Sequence, residues 1–165
     1  MFQKNSSPAR EITERMIVLV AEDEERDALL LRRGFCQAGV KADLHFVANG
    51  GQAISYLKGH PPFDDRAVFP FPNLLVIDLK MAGVDGFDLL DWLRSQNNLP
   101  ALAAVVVLTG SADMEDIGRA YALGASTCLL KPPALELTDF AKSLERYWSR
   151  HLLPARLALS QLRSI

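Results

Sequence analysis

Four apolar runs punctuate the chain, and each leads into a polar residue. Met16-Ile17-Val18-Leu19-Val20 leads to Glu22-Asp23-Glu24-Glu25, Leu74-Leu75-Val76-Ile77 to Asp78, Val105-Val106-Val107-Leu108 to Thr109, and Leu129-Leu130 to Lys131. Short unbroken runs of this kind predict strands buried on both faces, whereas strands with one wet face alternate. Only residues 41–47 alternate, through Ala42, Leu44 and Phe46, which predicts a half-exposed strand.

Helical spacing fills the intervals. Ala28, Leu31 and Phe35 share a face before Gly39, and Asn49 is placed to cap a helix carrying Ala53, Ile54 and Leu57. Phe87, Leu90, Trp92 and Leu93 follow the turn at 82–86, and Met114, Ile117 and Tyr121 line one face of a helix that Gly124 stops. A last main helix starts near Ala134, with Leu137, Phe140, Leu144 and Trp148 on one stripe. Strands are expected at about 16–21, 41–47, 74–78, 103–108 and 126–130. Strands alternating with helices indicate an α/β fold, a doubly wound five-stranded parallel sheet. Pro61, Pro62, Pro70 and Pro72 exclude regular structure from a long loop over residues 59–73, and long loops in compact domains are often functional. Residues 1–15 read as a flexible N-terminal arm, 16–150 as the domain, and 151–165 as a C-terminal extension in which Leu157, Leu159 and Leu162 suggest a short amphipathic helix.

Composition narrows the class. With 165 residues, 49% of them hydrophobic, the chain can bury one sizeable core and is not a disordered polyelectrolyte. A net charge of −2 supplies no electrostatic attraction to nucleic acid. No apolar run approaches the ~20 residues of a membrane span, and the polar N-terminus has no signal core. Cys36 and Cys128 lack metal-ligand spacing and read as reduced thiols, so a cytoplasmic location is expected.

The polar residues after the runs carry the chemistry. In an open parallel sheet, ligands bind in the crevice beyond the carboxyl ends of the strands. Glu22, Asp23 and Asp78 would meet there, and carboxylates in one crevice repel each other unless cations intervene. Mg²⁺ suits such a site, because it takes hard oxygen ligands and bridges carboxylates to phosphate oxygens. Three carboxylates, Lys131 and Mg²⁺ sum to zero. An aspartate beside a metal and an ammonium can act as a nucleophile toward phosphorus, with Thr109 and Lys131 holding phosphoryl oxygens. Singly, each residue has an ordinary reading: Asp78 or Thr109 as turn residues, Lys131 as a surface lysine, Glu24 and Glu25 as solvated first-turn acids. Their joint placement at strand ends favours a site.

Taken in order, Glu22-Asp23, Asp78, Thr109 and Lys131-Pro132 resemble the receiver domain of two-component response regulators over about residues 15–150. Residues 78–86, Val107-Leu108-Thr109-Gly110 and Leu129-Leu130-Lys131-Pro132 carry the resemblance. It implies a flavodoxin-like receiver fold with strand order 2-1-3-4-5. It implies that Glu22, Asp23, Asp78 and the backbone carbonyl of Lys80 hold Mg²⁺, that Asp78 accepts a phosphoryl group from a sensor histidine kinase, and that Thr109 and Lys131 bind and sense it. The Pro-rich insert and the stretch 147–154 further resemble phytochrome-associated single-domain regulators, which would make the kinase a bacteriophytochrome. The face of the fourth helix, fifth strand and fifth helix is the usual receiver contact surface by resemblance, and Leu157, Leu159 and Leu162 need burial, so a homodimer is expected. Two positions depart from the family. Ala82 replaces a usual proline, which should loosen the turn and leave the ligands alone. Cys128 replaces a usual tyrosine or phenylalanine, so signal transmission is expected to use the fourth helix and fifth strand. About fifteen residues beyond the last main helix are too few for a DNA-binding module, so action through protein contacts or phosphoryl relay is expected.

Three other functions use similar residues. A metal-dependent phosphatase with Asp78 as nucleophile usually needs an acid two residues on, where this chain has Lys80. A flavodoxin-like FMN binder needs a phosphate cradle after the first strand, where this chain is acidic. A pseudo-receiver would only bind partners, against which stands the intact set of site residues.

Overall fold

A computed structural model describes residues 15–100 and 102–150. The extension 151–165 and all but the last residue of the expected arm lie outside that range. Arg15 itself pairs with Asp43 at 2.6 Å, and its carbonyl accepts from Asn73 Nδ2 at 2.9 Å.

The strands are β1 (Met16–Ala21), β2 (Ala42–Val47), β3 (Leu74–Asp78), β4 (Ala104–Thr109) and β5 (Thr127–Leu130). They form one parallel sheet in the order β2-β1-β3-β4-β5. The helices are α1 (Glu25–Ala38), α2 (Gly50–Lys58), α3 (Gly86–Ser95), α4 (Met114–Ala122) and α5 (Leu137–Arg150), with a 3-10 turn at Ala134–Glu136 leading into α5. The expected order holds, and the strand ends fall within one residue of those expected.

Period-two side chains explain the unbroken runs. Val18, Val20, Leu74, Val76, Val106 and Leu108 face one core with Leu31 and Phe35 of α1 and Phe140, Leu144 and Trp148 of α5. Leu19, Ala21, Leu75, Ile77 and Val107 face the other, with α2, α3 and Ala120 of α4. Each central strand is thus buried twice over. Helix ends follow local chemistry: Asn49 Oδ1 accepts from Gln52 N–H at 2.9 Å, and Gly39 and Gly59 close α1 and α2 at φ 66° and 68°.

Three features go beyond what the sequence pattern carries. The Met114–Ile117–Tyr121 stripe of α4 is not core: Met114 is 77% exposed, and Ala120 is the buried residue. Ala120 is the residue through which α4 joins the second core, while Ile117 is half-buried. At the sheet edge Leu130 is 57% exposed, because β5 has a strand on one side alone. The long loop over residues 59–73 is a packed unit. Phe63 and Phe69 surround the buried Tyr56 ring with centroids at 5.2 and 5.9 Å, and the His45 ring lies tilted against Tyr56 at 5.5 Å. Arg66 donates to the carbonyls of Tyr56 and Leu57, both at 2.9 Å, satisfying the C-terminal end of α2. Burial pushes the Tyr56 hydroxyl up to about 12 and the His45 imidazole below its ordinary value, against the opposing pull of Asp43. Among the described residues no helix is long and apolar enough to cross a membrane.

Candidate phosphoryl and metal site

The parallel sheet brings every strand's C-terminal end to one edge, and the polar residues that follow the runs meet there. Glu22 follows β1, Asp78 closes β3, Thr109 closes β4 and Lys131 follows β5. Asp78 pairs with Leu108 in the sheet register, and the Lys131 N–H donates to the Thr109 carbonyl at 2.8 Å. Crossover helices return each strand parallel to the last, so residues far apart in sequence become neighbours.

Glu22, Asp23 and Asp78 each offer a carboxylate oxygen within 4.8 Å of the others. Glu22 and Asp78 are buried, while Asp23 is exposed at the mouth. Such a hard, anionic oxygen set suits a divalent cation that keeps part of its water shell. Both Asp78 oxygens are held: Oδ1 accepts from Lys80 N–H at 3.1 Å and Oδ2 from Lys131 Nζ at 2.9 Å. Glu22 Oε1 accepts from Glu24 N–H at 3.0 Å, and its Oε2 pairs with Lys131 at 2.9 Å. Burial raises the Glu22 carboxyl, against the lowering effect of Lys131 and the Glu24 N–H. Burial alone would lower the Lys131 ammonium, but hydrogen bonds to Asp27, Asp78 and Glu22 outweigh it and raise it, so Lys131 stays charged.

Asp27 was not anticipated. Its Oδ2 lies 2.9 Å from Lys131 Nζ, in the first turn of α1. The available signal was positional: the first turn of a helix that follows a strand stands over that same sheet edge. With Asp27 the pocket holds four carboxylates, so the charge balance expected from three carries one further negative charge.

The turn after β3 is built around glycine. A Cβ on Gly86 would overlap the Asp78 carbonyl oxygen and sit 2.6 Å from Leu79 Cα. Its N–H donates to the Leu79 carbonyl at 3.0 Å, tying the start of α3 to the residue after the aspartate. Asp85 caps α3, accepting from Asp88 N–H at 2.9 Å. Ala82 reaches a candidate ligand through its backbone. Its N–H donates to Asp23 Oδ2 at 3.0 Å, a bond that proline could not make. The departure therefore touches a candidate ligand directly, which corrects the expectation that the ligands are left alone.

Thr109 is buried with its hydroxyl engaged locally, accepting from Ser111 N–H at 3.1 Å and donating to the Ser111 carbonyl at 3.2 Å. The Lys80 ammonium stands 3.9 Å from Asp116 on α4, an exposed and weak pair. Cys128 leaves its outward N–H to the Tyr121 hydroxyl at 3.1 Å, so α4 is clipped to the edge strand at the position where the family usually has an aromatic ring. Burial raises the Cys128 thiol.

This fold and edge define a receiver domain. The response regulator receiver domain family matches residues 18–141, and the chain belongs to it. Among solved structures it is similar to response regulator RPA3017 in red light signaling of R. palustris, at 34% identity and TM-score 0.71, covering 81% of this chain and 91% of that one. It is likewise similar to the phosphorylated cyanobacterial phytochrome response regulator RcpA, at 25% identity and TM-score 0.73, covering 85% and 99%. Among curated proteins, the probable methanogenesis regulatory protein FilR2 of Methanothrix harundinacea is 28% identical over 145 residues, 87% of this chain and 90% of that protein.

Proposed function

We propose that this chain is a phosphorylatable switch in which Asp78 accepts a phosphoryl group from a sensor histidine kinase. The observation that carries the reading is the setting of Asp78: buried, 2.9 Å from Lys131, and within 4.8 Å of Glu22 and Asp23 oxygens. In the transfer, an Asp78 oxygen forms a bond to phosphorus as the P–N bond to the kinase imidazole breaks, and the nitrogen keeps the electron pair. Glu22, Asp23, Asp78 and the Lys80 carbonyl would hold Mg²⁺, which when bound neutralises charge on the transferring group. The protein's own part is positioning. The Lys80 N–H and Lys131 orient the carboxylate, and Lys131 remains charged to pair with phosphoryl oxygens. Thr109 reaches the phosphoryl group by giving up its bonds to Ser111. Lys80 in place of a second acid disfavours a phosphatase that uses Asp78 as nucleophile. The chain catalyses its own phosphorylation and dephosphorylation and is otherwise a signalling protein.

RPA3017, in red light signaling, and RcpA, a phytochrome response regulator, favour a bacteriophytochrome as the kinase, whereas FilR2 belongs to a different regulatory setting. Incubation with a small phosphodonor and Mg²⁺ should give one acid-stable, base-labile adduct, absent from Asp78→Asn and lost with EDTA. Asp23→Asn removes a ligand charge and should weaken Mg²⁺ binding by at least about tenfold, roughly one charge-assisted contact. Labelling that persists in Asp78→Asn would refute the assignment.

The output surface we assign to α4, β5 and the 3-10 turn that leads into α5, where Met114, Leu130 and the 95% exposed Leu135 are apolar. By family resemblance this face pairs two copies. Light scattering should show a homodimer favoured by phosphorylation; a monomer at high concentration in both states would exclude it.

A further inference from the structure

We propose that Asp27 is a positioning residue that restrains Lys131, and thereby sets how readily Asp78 gains a phosphoryl group; this rests on the phosphoacceptor reading above. An ammonium has three donors. Lys131 Nζ lies 2.9 Å from each of Glu22 Oε2, Asp27 Oδ2 and Asp78 Oδ2, so its donors are all committed. A phosphoryl group on Asp78 brings new oxygens and more negative charge to the same ammonium. One present acceptor must then yield.

The three acceptors are not equal. The Glu22 side chain is 3% exposed and also anchored by the Glu24 N–H, and Asp78 carries the phosphoryl group itself. Asp27 is 34% exposed, and among the described residues its carboxylate has no ion-pair partner other than Lys131. Water replaces that bond at the smallest cost, so Asp27 is the partner that yields.

Asp27 opposes phosphorylation in two ways. It occupies a donor that the phosphoryl group needs, and it places a carboxylate beside the incoming dianion. A contrary effect exists, because Asp27 also orients the lysine. That effect is the smaller, since Glu22 and Asp78 still hold the ammonium at two points when Asp27 is removed. Hydrolysis is affected less than transfer, because the phosphoryl charge is present both before and during hydrolysis.

The test uses the full chain with acetyl phosphate and Mg²⁺. In the step, an Asp78 oxygen bonds to phosphorus while the acetyl P–O bond breaks and acetate leaves with the electron pair. Asp27→Ala should label roughly three- to tenfold faster, the value of one partly exposed charge-assisted contact. It should bind beryllofluoride, an inert phosphoryl mimic, more tightly by a similar factor. Asp27→Asn should fall between Asp27→Ala and wild type, Asp27→Glu should return toward wild type, and the adduct lifetime should change by less than about twofold. A purely structural role for Asp27 would move neither beryllofluoride affinity nor the rescue by glutamate. If Asp27→Ala folds poorly, the isosteric Asp27→Asn carries the test. Wild-type labelling at Asp78 with equal or slower labelling in both neutral variants overturns the role of Asp27 alone. No labelling and no beryllofluoride binding in any form overturns the phosphoacceptor reading, and this inference with it.

Discussion

Replacing Lys131 with alanine is expected to cost about 2–3 kcal/mol of stability without divalent cations, and Mg²⁺ is expected to restore most of it. The ammonium touches three carboxylates at 2.9 Å, two of them on side chains only 3% and 8% exposed. Removing one partner of a buried ion pair leaves charge with neither water nor countercharge, typically a loss of about 3–5 kcal/mol. The lower figure applies here because the Lys131 side chain is 24% exposed, so water can enter the space it leaves. A divalent cation among Glu22, Asp23 and Asp78 supplies the missing positive charge. Denaturant unfolding of wild type and Lys131→Ala, each in EDTA and in Mg²⁺, gives four values. The variant should gain more from Mg²⁺ than the wild type does. Equal gains, or a loss below about 0.5 kcal/mol in EDTA, would show that Lys131 does not neutralise the pocket.

Gly86→Val is expected to cost about 3 kcal/mol or more and to abolish phosphoryl labelling. The new side chain would overlap the Asp78 carbonyl oxygen and approach Leu79 Cα at 2.6 Å and the Asp78 carbonyl carbon at 3.1 Å. These are backbone atoms at the end of a central strand, and no rotamer change can move them aside. Relief must come from shifting α3 or the Asp78 backbone, and either breaks the Gly86 N–H bond to Leu79. Gly86→Ala tests the same clash without the branched bulk. Alanine ordinarily favours a helix by up to about 1 kcal/mol over glycine, so any net loss in that variant reports the overlap. Thermal melts and labelling rates matching the wild type in Gly86→Ala would mean that the turn is not constrained by the close approach.

The chain shares its fold and family with its relatives, while the chemistry of the site depends on its own residues. Ala82 is the instructive case. As a departure from the family pattern, an alanine in place of proline implies a small loss of rigidity. In the structure its N–H binds Asp23, one of the three clustered acids. A backbone donor carries no signature in the side-chain alphabet, so only the folded turn reveals it.

The chain's own sequence determined the elements and the core of the site, because both are written in local pattern. Unbroken apolar runs marked β1, β3 and β4 as strands with two buried faces, while β5 at the sheet edge stays partly exposed, and the polar residue after each run marked the edge at which Glu22, Asp23, Asp78, Thr109 and Lys131 collect. What only the tertiary structure decided were relations between distant segments and between faces. Lys131 and Asp27 are 104 residues apart, and no periodicity links them. The apolar stripe of α4 has the spacing of a core face, yet Met114 is exposed, since burial depends on which side of the helix meets the sheet. The loop at 59–73 looked irregular because proline denies it hydrogen-bonded ladders. Its order comes instead from Phe63 and Phe69 closing on Tyr56, and from Arg66 satisfying carbonyls at the end of α2. Such contacts are set by where the chain returns in space, and that is a property of the whole sheet rather than of any one segment.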